Sequence, residues 1–309
     1  MKTGAMVRLT VALAVVLISC ATRESTERGG RNSSREFPFE FEHNRVIVPV
    51  RVGTSRVLRI LLDTGMGFDG LLLYEALPES AVPGSHYEVR IPGAGSGEPA
   101  RGMMAESASF TVGPVQLFRQ RVVWLTDGSM SGFSSDGVMG YSLFGHWVVE
   151  LDYDRMVIIL HEPGTFKPDS SWAALPMQLH KNNIPWVRMW ASIQGTDSAE
   201  LDCYLDLPAC DEVVFLVRNG AKFPLPESLE SSYLGRGLSG DVYGWKGRVA
   251  WVEFDTFRFR DITASFAPDS VRSKQPGADA VVCGGLLRRF NTIYDFSGGR
   301  LYIRPSRRQ

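Results

Sequence analysis

Ile60-Leu61-Leu62-Asp63-Thr64-Gly65 is an apolar run that ends in a carboxylate, a threonine and a glycine. Such a run reads as a buried strand that delivers one carboxylate to a tight turn, where glycine lets neighbouring groups approach closely. One tripeptide decides little; a second half at a fixed spacing decides more. Asp206, 143 positions further on, closes another apolar run in Tyr204-Leu205-Asp206-Leu207-Pro208. The same shift carries Ser96-Gly97 onto Ser239-Gly240, Asp136 onto Asp279, Leu143 onto Leu286 and Asp152-Tyr153 onto Asp295-Phe296. It also carries the apolar triplet 71–73 onto 214–216. Anchors that stay in phase this long point to a duplicated unit, longer than the repeats of solenoids.

The chain has 309 residues, 44% hydrophobic and 22% charged, an ordinary globular composition with room for two cores. A net charge of −1 gives no reason to expect a nucleic-acid partner. Lys2 and Arg8 flank the start of an apolar stretch, 9–18, too short to span a bilayer, so residues 1–19 read as a targeting segment. The stretch ends in Leu17-Ile18-Ser19-Cys20, which resembles the lipobox of bacterial lipoproteins. That resemblance implies cleavage before Cys20 and acylation of its thiol and amine, which anchor the chain in a lipid bilayer. Ala21 in place of aspartate implies the outer membrane of a bacterial envelope, periplasmic face. Polar residues through Glu36 read as a flexible tether, 20–36.

Strand signals dominate the rest: short β-branched or aromatic runs separated by glycine, proline or aspartate. The fold class expected is all-β, with short helices at 74–77, 143–147 and 285–290. A first lobe spans 37–162 and a second 184–309. The proline-bearing stretch 163–183 connects them. Two glycine-rich stretches, one with Gly93, Gly95, Ser96 and Gly97, the other with Gly237, Ser239 and Gly240, read as mobile hairpin tips. Neither has the lysine of a phosphate loop.

Once Cys20 is set aside, Cys203, Cys210 and Cys283 remain, an odd number that leaves at least one free thiol. A Cys210–Cys283 pair and buried free thiols both stay open. The five histidines show no metal-ligand spacing and no Cys-x-x-Cys occurs, so neither metal nor cofactor is expected. Ser142 lacks the final glycine of a nucleophile elbow, which argues against a serine hydrolase.

Taken together, 37–305 resembles the pepsin-like and retropepsin-like aspartic protease superfamily. The nearest likeness is to bacterial single-chain proteins with two retropepsin-like lobes. Family lobes pair an Asp-Thr-Gly turn with a later apolar-apolar-glycine motif. Here these are Asp63-Thr64-Gly65 with Val138-Met139-Gly140, and Asp206 with Val281-Val282-Cys283-Gly284. The resemblance implies an inter-lobe cleft for an extended peptide or protein substrate, covered by the hairpin tips. It implies an aspartic endopeptidase with Asp63 and Asp206 as catalytic groups, supported by Thr64 and Gly65. The duplication makes a monomer sufficient. The second lobe departs from the pattern: Leu207 cannot reproduce the threonine's cross-lobe bond, and Pro208 offers no N–H to its carboxylate. Two readings therefore stand: an asymmetric but active protease, or a weak or inactive relative that binds peptides or another envelope component.

Overall fold

The computed structural model describes residues 35–272 and 275–307. Residues 1–19 and Cys20 lie outside them, as does the expected tether up to residue 34. The described residues are mostly β, arranged in three sheets.

In the first eight-stranded sheet the spatial order is Glu40–Glu42, Arg45–Val52, Leu58–Leu62, Gly137–Met139, Gly70–Leu73, Val115–Leu125, Ala100–Val112 and His86–Ile91. In the second it is Gln178–Leu179, Pro185–Ser192, Ala199–Asp206, Ala280–Cys283, Val213–Val217, Phe257–Pro268, Gly240–Phe254 and Glu230–Gly237. The two orders match strand for strand, and in both the second strand also pairs with the seventh. Alternation of side chains explains the local choice. In Arg45–Val52, Val48, Val50 and Val52 point into the core while Pro49 and Arg51 face outward. Leu58–Leu62 is buried on both faces, because it lies inside the sheet beside the parallel strand Gly137–Met139.

The offset of 143 survives in register. Leu61 pairs with Val138 as Tyr204 pairs with Val281. Asp136 accepts the backbone N–H of Arg59, and Asp279 that of Asp202. Asp152 accepts from Arg155 N–H and Asp295 from Gly298 N–H, so both open turns. Past Asp206 the second half runs one residue short: Leu72 pairs with Val123 as Val214 pairs with Ser265.

A six-stranded sheet joins strands of both halves in the order Arg35–Pro38, Val157–His161, Val148–Asp152, Phe290–Asp295, Arg300–Pro305 and Ala173–Pro176. Its central seam sets Val149 against Tyr294, Glu150 against Ile293 and Leu151 against Thr292. The described residues form one compact unit, and the main apolar cluster draws on all three sheets.

Four expectations need correction. Arg35 and Glu36, assigned to the tether, pair with Leu160 and Ile159. The connection 163–183 supplies strands to two sheets, at Ala173–Pro176 and Gln178–Leu179. No helix forms at 74–77: Pro78 disfavours helical backbone at Leu77, the Tyr74 N–H bonds the Asp136 carbonyl, and a 3-10 turn follows only at Glu79–Ala81. The short helices come slightly earlier than expected, at Tyr141–Phe144 and Gly284–Leu287, and Asp269–Arg272 adds a third. Among the described residues no helix is long and apolar enough to cross a membrane.

Candidate active site

Two strands of like position, Leu58–Leu62 and Ala199–Asp206, run toward one cleft. Asp63 follows the first directly and Asp206 ends the second. Both residues are half-buried and both line a cleft of about 860 Å³. Gly65 lies close to both. A β-carbon there would lie 3.0 Å from Asp63 Oδ1 and 3.6 Å from Asp206 Oδ1, so the sum of those distances bounds the separation of the two oxygens. Any side chain at 65 would crowd the two carboxylates.

Local bonds hold this turn. Gly65 N–H donates to Asp63 Oδ1 at 2.7 Å, and Met66 N–H to the Asp63 carbonyl at 3.2 Å. The motif ending in Gly140 passes so close that a β-carbon on Gly140 would sit 2.3 Å from the Asp63 carbonyl oxygen. In the second half Gly284 takes the comparable approach, to the Leu207 carbonyl. Thr64 is buried, and its Oγ1 accepts the backbone N–H of Leu207 at 3.2 Å. The return bond is missing in kind: Leu207 is fully buried in the main apolar cluster instead. Full burial of such a side chain contributes about 1.5–3 kcal/mol. Pro208, without an N–H, cannot repeat the bond Gly65 makes to its own aspartate.

Residues without a sequence motif complete the second turn. Arg45 Nε donates to the Pro208 carbonyl at 3.1 Å, and Asn44 Nδ2 to the Cys210 carbonyl at 2.8 Å. Both reach across from the first half, and neither stands out in the sequence. Tyr74, buried beside the cleft, has its phenol pushed well above the usual value by burial, with the Asp63 charge adding to the shift. It is neutral at any working pH.

Hairpin tips roof the cleft. The first turns through residues 92–99, the second through Leu238 and Ser239. Ser239 N–H donates to the Ala94 carbonyl at 2.9 Å, Gly97 N–H to the Ser239 carbonyl at 2.8 Å, and Gly93 N–H to Ser239 Oγ at 3.3 Å. Gly237 packs against Ala94 so closely that a β-carbon would clash, and Gly240 turns with a positive φ. Ser96-Gly97 and Ser239-Gly240, aligned by the offset, are thus not matching turn positions; Gly97 bonds Ser239 across the cleft. The reason is loop length, since the first tip is longer.

Cys203 and Cys283 are buried and Cys210 is exposed, and none of the three is joined in a disulfide among the described residues. No group of three or more His, Cys, Asp or Glu among the described residues could hold a metal ion. No protein-family model matches this chain, and no curated protein does.

Proposed function

We propose that the chain is an aspartic-type endopeptidase built as two similar pepsin- or retropepsin-like lobes that arose by internal duplication. The approach of Asp63 and Asp206 to a single glycine on one cleft carries the reading. Matching strand orders and the persistent offset support the duplication. One carboxylate takes a proton from a bound water as that water attacks the peptide carbonyl. The other, protonated, bonds the carbonyl oxygen and passes its proton toward the leaving nitrogen. The two act as one titrating unit, so neither role belongs to one residue alone. An extended peptide lies beneath the hairpin tips and pairs with them as a strand would. Acylation of Cys20 holds the protein, as a monomer, at the periplasmic face of a bacterial outer membrane.

Digestion of a peptide library between pH 4 and 7 by wild type and by Asp63→Asn tests this. Cleavage by wild type alone supports the proposal; equal cleavage by both removes Asp63 from the chemistry.

Pro208 favours a second reading, an envelope protein that binds peptides or another envelope component in the cleft without cutting. The double variant Leu207→Thr, Pro208→Gly separates the two. Cleavage gained only in that variant supports binding as the native role.

A further inference from the structure

The two walls of the cleft differ in chemistry at matched positions. In the first sheet Met104 pairs with Val123; the register-equivalent pair in the second sheet is Lys246 with Ser265. Around Met104 the wall is apolar, with Met66, Phe68, Met130 and Phe133 in one cluster with Val123. Around Lys246 it is charged. Lys246 Nζ lies 4.0 Å from Asp211 Oδ1, which also accepts a bond from Ser265 Oγ at 2.9 Å. Arg45 lines the same cleft, its Nε on the Pro208 carbonyl.

The positive bias continues beyond the cleft. Cys210, Asp211 and Lys246 also border an adjoining polar trough of about 420 Å³. In that trough Arg248 is bound to Asp261 and Arg289 to Glu212, while Arg260 is exposed and forms no ion pair among the described residues. Lining the trough, the cations Lys246, Arg248, Arg260 and Arg289 outnumber the anions Asp211, Glu212 and Asp261. A ligand that left this charge unanswered would forgo complementarity that sets partner choice.

Resting on the proposed peptide-binding role of the cleft, we infer that its substrates are amphipathic in sequence. A large apolar side chain fills the Met104 wall, and an acidic side chain lies on the other side of the catalytic pair, toward Lys246 and Arg45. Phe68 and Met104 in one wall, set against Cys210 and Lys246 in the other, make the orientation of the peptide unique.

The test uses the full chain carrying Asp63→Asn, so that binding is read without cleavage. Three fluorescent peptides share one leucine anchor and differ only in Glu, Gln or Lys, scanned two to four positions to either side. Fluorescence anisotropy at low salt measures each Kd. The Glu peptide is expected to bind about tenfold tighter than the Lys peptide, and at one side of the anchor only. Lys246→Glu, at an exposed side chain, is expected to reverse that order, and Lys246→Met to flatten it. Equal binding of the three peptides, no binding of any, or a preference unmoved by Lys246→Glu overturns the inference. Wild type that cuts all three equally well overturns it while leaving the protease reading intact. A wild type that binds with the charge preference but never cuts does the reverse.

Discussion

The backbone N–H of Leu207 donates to Oγ1 of Thr64 at 3.2 Å, and both residues are buried. This bond ties the turn after one carboxylate to the turn after the other. Thr64→Val keeps the shape and removes the acceptor, leaving a buried N–H unpaired. The expected cost is about 1–3 kcal/mol in denaturant unfolding. Displacement of the turn is expected to cost about a hundredfold in peptidase kcat/KM. Thr64→Ser should retain most of both. Unfolding curves that coincide for Val and wild type would remove the bond from the account.

Asp63→Asn and Asp206→Asn, made separately, should each lower kcat by about 10²–10⁴ with little change in Tm. Groups that work as one unit are not additive, so the double variant should be scarcely worse than either single one. A double variant whose loss equals the product of the two single losses would show independent roles.

Asp136 offers a pH test away from the cleft. Burial alone would raise its carboxyl, but the Arg56 side chain and the Arg59 N–H outweigh burial and hold it below its ordinary value of 3.8. A carboxyl lowered by folding adds stability that is complete above the unfolded pKa and fades as pH falls through the folded one. Asp136→Asn should therefore lower Tm at pH 7, and the gap to wild type should narrow as scans go below the ordinary carboxyl value of 3.8. A gap of constant size would place the effect outside ionisation.

Gly95 tests the roof. Its φ is +116°, and a β-carbon there would lie 2.3 Å from the Ser239 carbonyl carbon. Gly95→Ala should part the hairpin tips. If one bond of about 1 kcal/mol is lost, KM for an extended peptide rises about fivefold. An unchanged KM would mean that closure of the tips does not contribute to binding.

Much of this was legible in the sequence because it is local. Asp63-Thr64-Gly65 follows an apolar strand, and the offset to Asp206 is preserved in hydrogen-bond register. Arg45 was not legible. Its guanidinium meets the Pro208 carbonyl 163 positions away, and no short motif marks an arginine on a strand. Lys246 gains meaning only when its pairing with Ser265 is set beside Met104 with Val123. The helix expected at 74–77 did not form, because Pro78 disfavours helical backbone at Leu77; the Tyr74 amide bonds the distant Asp136 carbonyl instead. Ser239 was legible as part of a turn, but the length of the facing tip decides what it touches.

The seam of the six-stranded sheet has a consequence for assembly. Val148–Asp152 is an edge until Phe290–Asp295 arrives, and open edges recruit other chains. Two copies of the first half, meeting through that strand about the same centre, would set Glu150 opposite Glu150. Like charges directly opposite one another are destabilising. Ile293 occupies that place in the intact chain, so the polypeptide closes on itself and self-pairing of identical halves is discouraged.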